Sequence, residues 1–474
     1  MTRVDSRSAP PLEISPETWR LAWVVAFGAF AGGLDTSLIN IALNTIERDF
    51  GADLELVQWI SSAYLLALAV SLPVCAWLGR RLGVGRLWLG ALVAFTVVSG
   101  LCAAAPSVPV LIGLRVLQGL TAGLLVPAGQ TILGQAVGPG RLGRVMARIG
   151  IAVVLAPALG PVLGGLLLHG LSWRWLFLIN VPIGILAILA GLRWIPHEKG
   201  THTGPLDVAG FAYIGLGLPL TVYGLTIWGA LGTPEPARVL LPLALGCAGM
   251  AAFVVHALRR TDPLLDVTLY RTSAYTAASV AFVFNGALTF GCALLTPLYF
   301  QLLHGEGVVE TGLRTLALGA GTAVMLPLGG RLTDRYGGGP IAAIGTLSTA
   351  VATGAFALGL DQQPVLEQAM IFLLGMGTGM ASTPLMVSAF TAVPRERLPD
   401  ATSQINIIVR IGGALGAAIY AVVLARALPA GPHHAFRVAF TWQAGTGAAA
   451  FAGALLLWFV LSRNGDRATA PAHH

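Results

Sequence analysis

Long apolar stretches alternate with short polar ones along almost the whole chain. They lie near residues 20–45, 56–79, 87–105, 109–136, 143–168, 174–194, 207–230, 239–258, 274–302, 312–332, 340–360, 365–391, 400–427 and 437–461, fourteen in all. A bilayer core takes about 20 apolar residues per helix, so the pattern predicts an all-α membrane protein with fourteen transmembrane helices. Residues 1–18 are polar and Pro-containing, no cleavable signal peptide is visible, and the first apolar run is long enough to remain as a span. All eleven tryptophans fall near an expected span end, where amphipathic rings favour the headgroup region.

Composition sharpens this reading. Hydrophobic residues make up 55% of the 474 positions and charged ones 10%, far below the roughly 25% charge of a soluble domain. An ordinary globular enzyme is thereby excluded. The 60 glycines and 28 prolines sit inside the apolar runs, where membrane helices tolerate them. Cys75, Cys102, Cys247 and Cys292 lie in apolar stretches without CxxC or His pairing, so they are expected to be small buried side chains rather than disulfides or metal ligands.

The net charge of +7 belongs to the loops. With the N-terminus inside, 20 basic residues fall on the cytoplasmic side of the fourteen-span frame and six on the other, where the first loop carries Glu47, Asp49, Asp53 and Glu55. This is the positive-inside bias, and it places both termini in the cytoplasm of a cell (inner or plasma) membrane. The basic charge answers to insertion and anionic lipid, and no nucleic-acid partner is expected.

The chain also repeats itself. Residues 76–83 (Ala-Trp-Leu-Gly-Arg-Arg-Leu-Gly) and 330–337 (Gly-Arg-Leu-Thr-Asp-Arg-Tyr-Gly) share the pattern small-x-Leu-x-x-Arg-x-Gly. At about 31 residues per span, their 254-residue separation corresponds to eight spans rather than six. Two helices, near 207–230 and 239–258, are therefore expected between two six-helix halves. The resulting division is a tail over 1–19, a first bundle over 20–195, the inserted pair over 196–260, a second bundle over 261–462 and a tail over 463–474.

Three charged residues lie deep inside apolar runs, Asp35, Arg115 and Arg410, and each is a functional candidate because a charge there is costly. Asp35 precedes Glu47 by 12 residues and Arg115 follows Pro106 by 9. At about 1.5 Å per residue both lie some 14–18 Å below the same face, so an ion pair between spans 1 and 4 is geometrically possible. Two readings stand: a proton-carrying acid tuned by a nearby guanidinium, or a fixed pair that only joins the two spans. In span 5, Ala156, Gly160 and Gly164 recur every four residues and Gly165 follows, giving a smooth face for close approach. Pro157 and Pro161 remove hydrogen bonds from the same helix and loosen it. Arg410 lies about 16 Å into span 13. It is open between pairing with a substrate group and bonding backbone carbonyls. Asn40, Tyr64, Gln130, Asn285, Gln301 and Asn406 are candidate cavity residues, although such side chains also serve as contacts between helices.

Several of these segments resemble the fourteen-span drug:proton antiporter branch of the major facilitator superfamily. They are Leu34–Leu43 in span 1, Arg115–Gly119 in span 4, Ala156–Gly165 in span 5, Trp173–Gly184 in span 6, Arg410–Gly416 in span 13 and the two loop repeats. The resemblance implies a major facilitator fold and proton-coupled efflux of small amphipathic compounds by alternating access. It implies no cofactor, with the proton gradient as energy source. The expected partners are a small-molecule substrate, protons and the lipid bilayer, and a monomer is expected. It further implies that Asp35 and Arg115 couple protons and that Pro157, Gly160, Pro161, Gly164 and Gly165 form the antiporter motif. Arg80, Arg81, Gly83, Gly330, Asp334, Arg335 and Gly337 then belong to loops that lock one face closed. The first loop departs from the pattern: Arg80 stands where an Asp is usual and Ala76 replaces the leading Gly. Asn44 replaces a usual Pro in span 1.

Other function classes fit less well. A proton-coupled or facilitative importer on the same fold is the main alternative. A membrane enzyme lacks a His/Asp/Glu cluster at an interface. Direct ATP drive lacks a G-x-x-x-x-G-K-[ST] sequence, Lys199 being the only lysine.

Overall fold

The computed structural model describes residues 14–200, 204–360 and 363–469, except for a few helical side chains, Asn40, Pro157 and Pro161 among them. All of its elements are helical, with no strand among the described residues. The first group is α1 (Pro16–Phe50), α2 (Leu54–Leu82), α3 (Val84–Ala103), α4 (Val108–Ala136), α5 (Pro139–Gly170), and a short α6 (Trp175–Leu178) leading into α7 (Asn180–Trp194). The pair α8 (Val208–Leu231) and α9 (Leu241–Arg259) follows. The last group is α10 (Ser273–Leu303), α11 (Val308–Tyr336), α12 (Gly338–Ala357), α13 (Pro364–Thr391), α14 (Leu398–Ala427) and α15 (Pro432–Thr469).

With α6 and α7 taken together, a helix occupies each of the fourteen expected places. Among the described residues, twelve stretches are long and apolar enough to cross a membrane, and α5 and α11 fall outside that set. Glu310, Arg314, Arg331, Asp334 and Arg335 all lie in α11, around a middle rich in Gly, Ala and Thr.

Local chemistry sets the helix ends. Ser15 caps α1 by accepting from the Thr18 N–H at 3.2 Å, and Gly51 ends it in the left-handed region. Asp207 caps α8 through the Gly210 N–H at 3.0 Å. Single glycines, Gly83 (φ +87°) and Gly337 (φ +85°), join α2 to α3 and α11 to α12. The repeated loop motif therefore ends in Gly for a physical reason: the one-residue joint needs a positive φ, which other residues adopt at a cost.

The internal repeat reappears in the packing. In the first group α1 packs on α5, α2 on α4, α3 on α4 and α3 on α7. In the second, α10 packs on α14, α11 on α13, α12 on α13 and α12 on α15. The halves meet in the same symmetric manner, α2 against α14 and α11 against α5. The α8–α9 hairpin lies outside this two-fold plan and rests on α2 and α14 through α8. Leu241, Leu245, Val254, Val255 and Leu258 of α9 face outward, as expected for a lipid-facing helix.

The cores separate the two ends of the bundle. At the end that carries the termini, one continuous core joins the halves, from Leu133, Leu142 and Met146 to Leu385, Phe390, Leu398 and Ile405. Towards the opposite end each half keeps its own core, around Leu38, Leu111, Trp173 and Phe177 in the first and around Leu295, Phe300, Phe356 and Phe440 in the second. The halves are thus sealed at one end and independently packed towards the other.

Two expectations need correction. Trp88, near the start of α3, lies fully buried in the inter-half core instead of facing headgroups; Gly28 and Gly191 make room for its ring. Cys247 is exposed on the outward α9, whereas Cys75, Cys102 and Cys292 are buried.

Candidate functional site

Asp35 and Arg115 meet inside the first half. Asp35 is 2% exposed and Arg115 fully buried. Arg115 Nη1 donates to Asp35 Oδ2 and, at 2.7 Å, to Gln118 Oε1; its Nε donates to the Ile60 carbonyl at 3.2 Å. The guanidinium lies 4.1 Å from the centre of the Tyr64 ring, a cation–π contact strengthened by desolvation. The other carboxylate oxygen, Asp35 Oδ1, accepts from Gln118 Nε2 at 3.0 Å and Asn180 Nδ2 at 2.9 Å. Both amides also donate to Ser99 Oγ, each at 3.2 Å, and the Ser99 hydroxyl donates to the Phe177 carbonyl at 3.0 Å.

This is more than an ion pair. A desolvated pair needs further hydrogen bonds to offset the loss of water, and α1, α3, α4 and α7 each supply a polar side chain here. Gln118, Asn180 and Ser99 were not singled out in the sequence. Gln118 and Asn180 do sit inside motif segments, in Arg115–Gly119 and Trp173–Gly184, so their motif membership was the available signal. Ser99 had none, since a lone serine in an apolar helix has no distinguishing pattern.

The span-6 motif has a second contact. Trp173 Nε1 and Arg174 Nη1 donate to Asp49 Oδ2 at 2.7 and 3.1 Å, clipping the end of α1. The indole bond first, then the Arg174 bond, hold the Asp49 carboxyl below its ordinary value. The chain then forms the short α6, and its junction with α7 at Ile179 presents Asn180 to Asp35. Among the described residues, two buried atoms of the network lack a partner, Arg115 Nη2 and Asn180 Oδ1.

Tyr64, Asn406 and Arg410 line one cavity of about 270 Å³ between the halves, along with Thr36 and Phe290. Gln130 lies beside it, accepting from Asn406 Nδ2 at 2.8 Å and thereby tying α4 to α14. Asn285 instead donates to Ser382 at 3.2 Å within the second half, and Gln301 is exposed near the end of α10. The side chain of Asn40 lies outside the described residues.

In α5, Ala156, Gly160 and Gly164 face α1, against Gly33, Ser37 and Ile41 respectively, while Gly165 has open space around it. The side chains of Pro157 and Pro161 lie outside the described residues. Contact between α5 and the second half comes earlier along the helix, at Gly143 against Gly330 and Gly150 against Leu326.

Both loop motifs bridge the halves at the sealed end. Asp334 accepts from the Gly143 N–H at 2.9 Å, the Arg144 N–H at 3.3 Å and Arg144 Nε at 2.9 Å. Arg80 donates through Nη1 to Asp400 Oδ2 at 2.5 Å and through Nη2 to the Leu264 carbonyl at 3.3 Å. Asp400 also accepts from the Asp266 N–H at 3.0 Å. The basic residue that replaces the usual acid therefore faces an acid on the partner helix, and the charges at this contact are exchanged. Arg81 bonds the Gly204 carbonyl at 3.0 Å, and Arg335 stacks on Tyr336.

Asp35 is not the only buried carboxylate. Asp400 and Glu367 are each 2% exposed. Glu367, near the start of α13, faces His304 at 3.4 Å, Arg314 at 3.5 Å and the Tyr299 hydroxyl at 3.5 Å. In sequence it stands near the start of the expected span 365–391; the packing of α10, α11 and α13 buries it.

Comparison with known proteins fits this geometry. The 410 aligned residues shared with the multidrug resistance protein B homolog of Mycobacterium tuberculosis are 33% identical and cover 85% of this chain and 76% of that one. With the tetracenomycin C resistance and export protein of Streptomyces glaucescens, identity is 31% over 414 residues, 86% and 76% of the two chains. The solved structure of the proton:xylose symporter XylE superposes at a TM-score of 0.67 with 13% identity, over 93% of this chain and 95% of that one. At that identity the likeness concerns the fold. The family profile itself matches residues 25–417 and again 310–473. With two helix bundles repeating one packing plan, meeting at one end and enclosing a cavity, this chain belongs to the Major Facilitator Superfamily.

Proposed function

We propose that the protein is a proton-coupled exporter of small amphipathic compounds that works by alternating access, with Asp35 as the proton-binding group. The observation that carries this reading is the enclosed network in which one carboxylate accepts from Arg115, Gln118 and Asn180 beside the inter-half cavity. Tyr64 connects the two, stacking on Arg115 with one face and lining the cavity. The relatives named for multidrug resistance and for export of tetracenomycin C support the direction of transport. The positive-inside bias supports the termini being cytoplasmic, so the state described is closed to the cytoplasm.

Protonation has a defined consequence for these side chains. A neutral Asp35 offers a donor where it now accepts, and Arg115 loses its counter-charge. Among the described residues Asn180 Oδ1 is buried and unpartnered, so it is an acceptor for the added proton once the amide turns over. Arg115 already has an unsatisfied Nη2, and an uncompensated guanidinium in an apolar core costs several kcal/mol. Proton uptake therefore drives Arg115 and its stacking partner Tyr64 towards a new arrangement, and that change reaches the cavity wall. No covalent step is needed: the gradient supplies the energy and differential binding in two states supplies the coupling.

The test is transport in reconstituted vesicles. An imposed pH gradient is expected to drive substrate towards the acidic side, and an added protonophore is expected to abolish accumulation. Substrate moving with protons, down the same gradient, would support the importer reading instead.

A further inference from the structure

We propose that Arg410 is the head-group site for an amphipathic organic anion, with the body of that molecule held against the inserted helix α8. This deepens the export reading by naming the substrate class, and it rests on a different observation from the proton site.

Arg410 borders two cavities. One is the central cavity it shares with Tyr64 and Asn406. The other, about 470 Å³, lies between α2, α8, α10 and α14 and is lined by Leu65, Val222, Phe290, Leu294 and four alanines of α14. Phe290 belongs to both linings as well, so Arg410 and Phe290 stand at the junction of the two cavities, the first carrying Thr36, Tyr64 and Asn406 and the second the more uniformly apolar lobe. No carboxylate lines either lobe. Asp35 is committed to Arg115, Gln118 and Asn180.

Among the described residues Arg410 makes no hydrogen bond or ion pair, which sets it apart from Arg115, Arg80 and Arg144. A guanidinium offers five donors in a planar fork that matches a carboxylate or sulfonate, and a lone one at this depth marks a ligand site. Its helix cannot swing aside, because Gly412 and Gly416 press α14 onto the backbone of Val283 and the Cα of Ala287 in α10. The head group is thus fixed in place, one turn beyond Asn406. The alternative use of Arg410, bonding carbonyls in a broken helix, does not occur, since α14 is continuous from Leu398 to Ala427.

The apolar lobe sets the rest of the ligand. Its volume suits an aromatic or branched body, and Val222, Thr226 and Gly229 of α8 form one wall. This gives the inserted pair a role: α8 closes the side of the substrate site, and α9 braces α8 from behind. Charge complementarity selects an anion, and a lipophilic cation finds no counter-charge here.

The experiment measures binding to the full chain in nanodiscs of phosphatidylcholine alone, using anilinonaphthalene sulfonate as the anion and tetraphenylphosphonium as the cation. The anion is expected to bind the wild type more tightly than the cation. Arg410→Gln is expected to weaken the anion roughly tenfold or more, the usual scale for a charge-assisted contact, and to leave the cation unchanged. Arg410→Lys should recover part of the loss. Val222→Phe, which fills the apolar lobe without touching the arginine, should weaken the anion independently. Equal anion affinity in the wild type and Arg410→Gln overturns the proposal. Loss of anion binding on adding phosphatidylglycerol to the nanodisc also overturns it, because the site then belongs to a lipid headgroup. Asp35→Asn is expected to keep the preference for the anion and its dependence on Arg410, whatever its absolute affinity, so failure of the proton scheme and failure of this site give different results.

Discussion

At the scale of single residues, the network around Asp35 works by the number of its donors. Arg115 uses Nε on the Ile60 carbonyl and Nη1 on both Asp35 and Gln118. A lysine carries the charge but not the fork. Arg115→Lys is therefore expected to fold and to lose most coupled transport, measured as pH-gradient-driven accumulation in vesicles. Asn180→Leu removes both the bond to Asp35 and the waiting acceptor. It should reduce coupled transport at least tenfold while leaving anion binding at Arg410 intact; unchanged coupling would remove Asn180 from the scheme.

Asp49 gives a pH prediction of known sign. Trp173 and Arg174 hold its carboxyl below the ordinary value of about 3.9. A depressed acid contributes stability that is present above its unfolded pKa and lost as pH falls through the folded one. Asp49→Asn should therefore lower the Tm in detergent equally at pH 5 and pH 8, with the gap to wild type closing only below about pH 4. A gap that closes between pH 8 and pH 5 would show that the clip is not the source.

At the scale of elements, the two glycine joints separate backbone strain from steric clash. A Cβ at Gly337 meets nothing within 4 Å, whereas one at Gly83 runs into the Glu198 carbonyl. Gly337→Ala should cost about 1–3 kcal/mol, the strain of a positive-φ, extended-ψ conformation that is essentially confined to glycine. Gly83→Ala should cost visibly more. Equal losses in thermal unfolding would contradict the assignment of Glu198 as the obstacle.

The sequence was informative about elements because their signals are local. Apolar length located the helices, the spaced glycines of α5 announced a close neighbour, and the positive-φ joint was written into both loop motifs. Partners across the chain were not legible. Arg80 was visible as a departure, but its acid, Asp400, is 320 residues away at the first position of an expected span. Glu367 was hidden for the same reason. Asp35 and Arg115 were paired from depth alone, but depth does not reveal which uncharged side chains converge on them. That is why Gln118, Asn180 and Ser99 emerged only from the packing of four helices. Gln130, Asn285 and Asn406 were chemically alike in sequence, and helix rotation alone separates the inter-half pair from Asn285.

At the scale of the whole molecule, the seal at the terminal end rests on two ion pairs and a shared apolar core. Arg144–Asp334 joins α5 to α11, and Arg80–Asp400 joins α2 to α14. The exchanged polarity of the second pair makes a charge-reversal test available. Arg80→Asp should open this end, raising the labelling rate of a cysteine placed at the buried position 146 by a soluble maleimide. Adding Asp400→Arg should restore part of the protection, though not all, because Asp400 also accepts from the Asp266 N–H. No restoration would mean that the pair is incidental to closure.

The central claim is that one buried carboxylate carries the proton. It is tested most directly by adding substrate to lightly buffered, purified protein and recording proton release with a pH indicator, for the wild type and for Asp35→Asn. The wild type is expected to release protons on substrate binding, and Asp35→Asn to bind substrate with no release. Proton release by Asp35→Asn equal to that of the wild type would contradict the account.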